Sequence, residues 1–261
     1  MWAKRTLVVG ILLLLGLVVG RVHGARIAWD CCGITSFAQV LAPHDAELHF
    51  NIGDYFFGNG AYDPEWAYKH FIFARNANPA LARVNYQLAR LSFLNGNFSD
   101  AYASVLREKT IDPSFGKSHY MEGLILGYRA YPGDFEKSVK AFKNFIAYDP
   151  LNWAGYNDLS WIYFQKGDYK NAWDVANQGL TQAYGNPWLL NSRGIASLAM
   201  NKSHDAEQDF NDALDTIATM TADQWGVAYP GNNPSLYAAG FASMKDSIER
   251  NLGRAMVRTR P

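Results

Sequence analysis

The chain predicts an all-α repeat stack, and three observations carry that reading. Pro79, Pro113, Pro150 and Pro187 follow amphipathic stretches at separations of 34, 37 and 37 residues (113−79, 150−113, 187−150). A fixed period of that size marks one supersecondary unit copied several times. Small residues and aromatics recur in phase within each copy, the pattern of helices packed at close range. Aromatic content is 15%, which supplies the large fillers that stacked helix pairs need. No single copy can bury its own apolar face, so the copies must stack.

The chain opens with Lys4 and Arg5 ahead of an uncharged apolar run, 6–20, that Arg21 closes. Fifteen helical residues span about 22 Å, short of the ~30 Å hydrocarbon core. The reading adopted is a signal anchor that spans with Arg21 snorkelling and the bilayer thinning. The alternative is a signal peptide cleaved after Val22-His23-Gly24, before Ala25. Either would carry the rest of the chain across a membrane. The expected localisation is therefore a single-pass membrane protein with its repeats extracytoplasmic, or an exported protein if cleavage occurs.

Residues 25–45 form a juxtamembrane tether or an N-terminal cap. Cys31 and Cys32 stand there side by side, and adjacent cysteines close a ring poorly. Two free thiols are expected, with intermolecular pairing or lipidation as alternatives.

Residues 46–218 divide into five helix–turn–helix units. The first has Gly53 and Phe56 on one helix, then Ala67, Phe71, Ala74 and Pro79. Its turn, Gly58-Asn59-Gly60-Ala61-Tyr62-Asp63-Pro64, is long. The second has Leu88, Ala89, Gly96, Phe98, Ala101, Val105 and Pro113, with Glu108 at a position where alanine is expected. The third has Gly123, Gly133, Phe135, Ser138, Phe142 and Pro150, with an insertion around Tyr131-Pro132. The fourth has Trp153, Tyr156, Leu159, Ser160 and Tyr163, then Gly167-Asp168-Tyr169, Ala172, Ala176 and Gly179. The fifth has Gly194, Ala206, Phe210 and Ala213. Asn78, Asp112, Asp149 and Asn186 precede the prolines, where turn-forming side chains are favoured.

From 219 to 261 the pattern changes to a turn, Gly231-Asn232-Asn233-Pro234, and one last helix. Leu236, Gly240, Met244, Ile248, Leu252 and Met256 run along it at four-residue spacing. A repeat stack needs a cap with a polar outer face, and this helix fits that task, with partner binding as the alternative.

These units resemble the tetratricopeptide repeat, over about two-thirds of the chain. The resemblance implies a right-handed α-solenoid of about five repeats, closed by the C-terminal helix and preceded by the N-terminal hydrophobic helix 1–24. It also implies a concave groove, lined by the first helices, that holds an extended peptide or a helix. Projected onto that groove, the first unit supplies Phe50, Asn51, Asp54 and Phe57. The second supplies Tyr86, Gln87, Arg90 and Phe93, and the third Tyr120, Leu124 and Tyr128. The fourth supplies Asn157, Asp158, Trp161 and Phe164, and the fifth Asn191. Rings give rigid contact area and amides pair with main-chain groups. Some members of the family clamp acidic C-terminal tails with several Lys and Arg. Here only Arg90 and Lys117 are basic, and Asp54 and Asp158 would repel such a tail, so no clamp of that kind is expected.

Other chemistry is not indicated. Lys+Arg and Asp+Glu are both 24, which gives no push toward nucleic acid or an anionic lipid surface. Gly116-Lys117-Ser118 lacks the upstream glycine of a phosphate loop and reads as a turn between units. His44 and His49 are five apart, not the four of the helical zinc motif. Neither a catalytic residue, a metal nor a cofactor is predicted. The expected function is a membrane-tethered, non-catalytic protein-interaction scaffold. The alternative is an enzyme or enzyme-complex subunit whose repeats position a substrate.

Overall fold

A computed structural model describes residues 20–21, 42–58, 61–228 and 233–259. The expectations for segment 6–20, apart from Gly20, and for Cys31 and Cys32 lie outside the described residues. Among the described residues no helix is long and apolar enough to cross a membrane. They are all-α, with one isolated antiparallel bridge, Phe57 to Tyr62. The chain falls into two compact units, 1–88 and 89–261.

In the first unit, α1 (Ala46–Phe56) and α2 (Pro64–Ala77) form a hairpin, and α3 (Val84–Leu94) begins. Asp45 caps α1 by accepting from the Leu48 N–H, and Asp63 caps α2 by accepting from the Trp66 N–H. Pro64 fits the first turn of α2, where its missing N–H costs nothing. The long turn between the helices closes through the Phe57–Tyr62 bridge and a 2.8 Å bond from Asp63 N to Phe56 O.

A histidine pair lies inside this hairpin. His49 and His70 are 1% and 0% exposed, with their Nδ1 atoms 3.0 Å apart. His49 Nε2 lies 3.2 Å from the carbonyl oxygen of Pro43, which can only accept. Nε2 of His49 therefore carries the proton, and its Nδ1 accepts from His70 Nδ1–H. His70 Nε2 is left a bare, buried acceptor. Burial lowers the pKa of both rings, that of His70 to about 4. His49 thus pairs with His70 rather than with His44.

The second unit continues with α4 (Phe98–Ile111), α5 (Lys117–Arg129), α6 (Asp134–Tyr148), α7 (Trp153–Gln165), α8 (Tyr169–Gln182), α9 (Pro187–Ala199) and α10 (Ser203–Ile217). Each of the pairs α5–α6, α7–α8 and α9–α10 packs as a hairpin, and each second helix also packs on the next first helix. First helices meet one another in turn, α7 touching both α5 and α9, more closely than successive second helices do. The first helices therefore form the inner wall of this solenoid.

Side-chain volumes at one repeated position are complementary. A Cβ on Gly53 would come 2.6 Å from the Phe71 ring, one on Gly123 2.8 Å from Phe142, and one on Gly194 2.7 Å from Phe210. The equivalent residues in the second and fourth hairpins are Ala89 with Val105 and Ser160 with Ala176, all buried. A larger residue on the first helix is matched by a smaller one on the second, the size compensation that close helix packing requires. Ser160 also donates to the Ala172 carbonyl at 2.8 Å, which satisfies its buried hydroxyl.

The prolines play two roles. Asn78, Asp112 and Asp149 are C-caps of α2, α4 and α6, so the prolines after them follow a helix end. Pro187 instead opens α9. Asn186 is its N-cap, accepting from the N–H groups of Trp188 and Leu189, while α8 has already ended at Gln182. The insertion at Tyr131-Pro132 is held by Asp134, which takes a two-pronged ion pair from Arg129 at 2.8 and 2.9 Å and accepts from Tyr131 N–H.

Beyond α10 the structure adds a short helix that the sequence reading did not anticipate, α11 (Ala222–Val227), capped by a reciprocal Thr221–Gln224 box. A 3-10 turn, Pro234–Leu236, leads into α12 (Tyr237–Thr259). The long helix lies on α10, the position a next first helix would take. Ile248 and Ala255, both 0% exposed, join Leu189, Phe210 and Ile217 in one core.

Candidate functional site

The inner wall of the second unit brings most of the groove residues expected for that unit to one surface. Phe93 of α3 stands edge-on to Tyr128 of α5, with ring centroids 5.2 Å apart and planes at 90°. Tyr128 lies 5.0 Å from Trp161 of α7. Phe98, at the start of α4, closes the cluster against Phe93 and Tyr128. Tyr128 remains 54% exposed, so this cluster is a surface and not a core.

Beside the rings runs a polar chain across three first helices. Tyr120 of α5 donates its hydroxyl to Asp158 Oδ2 of α7 at 2.6 Å. Asn157 Nδ2 donates to Asp158 Oδ1 at 3.0 Å, and Ser192 of α9 donates to Asn157 Oδ1 at 2.8 Å. Burial pushes the Asp158 carboxyl up to about 6, against the downward pull of the bonds from Tyr120 and Asn157. Burial, then the nearby Asp158 carboxylate, raises the Tyr128 hydroxyl.

Leu124 and Phe164 are partly buried; Leu124 packs on the core around Phe142, and Phe164 lies 5.3 Å from the Tyr169 ring. Arg90 is also partly exposed. Asn191 does not face open solvent alone, since Asn251 of α12 donates to its Oδ1 at 3.2 Å. The last helix therefore covers part of the fifth hairpin's inner side.

In the first unit, Phe50 and Asp54 are partly buried and Asn51 is exposed. Phe57 is 3% exposed and packs edge-on to Phe71, as a filler inside the hairpin. Gln87 is buried and donates its side-chain amide to Asp54, while Tyr86 is partly buried. Phe57 and Gln87 thus turn inward: Phe57 lies just past the end of α1, in the bridge to Tyr62, and Gln87 of α3 reaches back to Asp54 of α1.

Arg193 is a polar feature the groove projection missed. It forks onto Asp209 at 2.6 to 3.1 Å and donates to Asn177 Oδ1 at 2.6 Å, tying α8, α9 and α10. No grouping of three or more His, Cys, Asp or Glu suited to a metal occurs among the described residues.

Residues 128–187 match the family model of the tetratricopeptide repeat. The matched hairpins contain the Tyr128–Trp161 wall and Asp158. Solved structures share the fold at low identity. PilW, described as a widely conserved type IV pilus biogenesis factor, has 15% identity over 79% of this chain and 91% of its own, with a TM-score of 0.60. MamA from Desulfovibrio magneticus RS-1 has 14% identity over 67% of this chain and 97% of its own, with a TM-score of 0.58. YrrB, described as a TPR protein with an unusual peptide-binding site, has 13% identity over 78% of this chain and 97% of its own, with a TM-score of 0.56. Among curated proteins none matches in sequence.

Proposed function

We propose that this chain is a non-catalytic scaffold that holds a peptide or helix of a partner protein on the inner wall of its second unit. The observation that carries the reading is the ring surface of exposed Tyr128 and partly exposed Phe93 and Trp161 beside the Tyr120–Asp158–Asn157–Ser192 chain. Rigid rings offer apolar contact at small entropic cost, and adjoining polar groups fix register. That a protein of the same fold is described as having a peptide-binding site supports the reading. The apolar segment 1–24 would tether the scaffold to a membrane, with the repeats on the extracytoplasmic side.

A Tyr128→Ala/Trp161→Ala double variant tests the groove. Cross-linking in cells should lose the partner recovered with the natural chain, while far-UV circular dichroism shows the helical content retained. Undiminished recovery of the same partner would reject the assignment. The tether is tested by mass spectrometry of the mature N-terminus: retained Met1 supports an anchor, and exposed Ala25 a released protein.

A further inference from the structure

We propose that Asp158 receives a lysine or arginine side chain of the docked peptide, in a niche walled by Tyr128 and Trp161. The inference rests on the scaffold reading and names the chemistry of its partner.

Charge on the inner wall is the first argument. α7 carries one charged side chain, Asp158. On the flanking first helices, apart from Lys117, which is exposed at the start of α5, Glu122 is paired with Lys109 at 2.6 Å, Arg129 with Asp134 at 2.8 Å and Arg193 with Asp209 at 2.6 Å. Each of these paired charges is neutralised. Among the described residues Asp158 has hydrogen bonds from Tyr120 and Asn157 and no cationic partner. A half-buried carboxylate without a counter-ion is costly, and an arriving cation would offset that cost.

The surroundings suit such a cation. Trp161 lies three residues along α7 from Asp158, on the same helix face. The Tyr128 ring lies against Trp161, and Tyr128 is near enough for the Asp158 charge to raise its hydroxyl. Ring faces attract ammonium and guanidinium groups, and the methylene stem of either side chain packs on them. Tyr120 and Asn157 hold the carboxylate in place, leaving remaining lone pairs for an incoming donor. The titratable groups facing Asp158 are Tyr120 and Tyr128 of α5, and Ser192 and Asn157 complete the polar chain without charge.

A phage-displayed library of random octapeptides, selected on the full-length chain, tests the inference. Enriched peptides should share one Lys or Arg at a fixed position. Replacing it by norleucine should weaken binding at least tenfold, an effect on the order expected for losing one partner of a desolvated charge pair. Asp158→Asn keeps the shape and can still accept from Tyr120. It should lower affinity similarly and abolish the lysine-over-norleucine difference, and near-UV circular dichroism reports whether it has folded. If Asp158→Asn does not fold, Trp161→Leu takes its place and should reduce the same difference. Enriched peptides without a shared cation, or a lysine preference that persists in Asp158→Asn, would overturn the proposal while leaving the groove standing. Enrichment of no peptide at all would overturn both.

Discussion

Tyr120 and Asp158 join the first helices of two successive hairpins by a 2.6 Å bond from the tyrosine hydroxyl to carboxylate Oδ2. The tyrosine ring is itself packed against Phe142 and Phe145 of α6, with centroids 5.8 and 4.9 Å away, so the hydroxyl is held in position. This bond lowers the Asp158 pKa, while burial, the larger effect, raises it to about 6. The folded value lies above the ordinary 3.8, so the native state holds the proton more tightly than the unfolded chain. Asp158 therefore contributes stability below pH 4 that is lost as pH rises through about 6. Tyr120→Phe should destabilise the chain by about 1–2 kcal/mol at pH 7, and should move the Asp158 titration further upward. Urea unfolding and carboxyl carbon NMR check the two effects, and an unchanged titration would contradict the account.

The histidine pair has the opposite sign. The His70 pKa is lowered to about 4 from 6.5 by burial and then by His49. Its contribution is present above pH 6.5 and lost as pH falls toward 4, when the unfolded chain takes up the proton first. The first unit should therefore loosen in acid. His70→Gln should flatten the acid limb of stability between pH 6.5 and 4.5, with hydrogen exchange of α1 and α2 amides as the measurement. An acid limb as steep as that of the wild type would count against the pair.

Gly123 and Phe142 test the size rule of the hairpins. Gly123→Ala places a Cβ 2.8 Å from the Phe142 ring and should cost about 1–3 kcal/mol. Adding Phe142→Val copies the Ala89–Val105 combination of the second hairpin and should recover part of that loss. Equal midpoints for the single and double variants in urea would refute the complementarity.

Arg193→Met leaves Asp209, 4% exposed, as a buried carboxylate without its cation. A loss of about 3–5 kcal/mol is expected. In the Arg193→Met/Asp209→Leu double variant much of it should return, because neither member of the pair is then stranded. Additive losses in denaturant melts would argue that the pair does more than neutralise itself.

Much of the fold was legible because hairpin signals are local. The 3.6-residue period, Gly167-Asp168 at a turn, and Asp or Asn beside proline act within a few residues and need no neighbour. The Thr221–Gln224 capping box of α11 was also present in the sequence, but a six-residue helix has too few apolar positions for its period to register. Pro187 was ambiguous for a different reason. Proline both follows helix ends and occupies first turns, and only the early end of α8 at Gln182 decides which.

The site was less legible, since a helix face does not name its neighbour. Nothing local to Phe57 or Gln87 says that both turn inward. His49 meets a partner 21 residues away, and Asn191 one 60 residues away. The sequence alone determined that helices pair and that the pairs repeat, because periodicity and turn chemistry are properties of short segments. Only the tertiary structure decided which charges are matched. Arg129, Arg193 and Glu122 find partners across helix boundaries, while Asp158 stands among neutral groups. Such matching depends on distances set by packing one helix on the next, and no period in the chain encodes them.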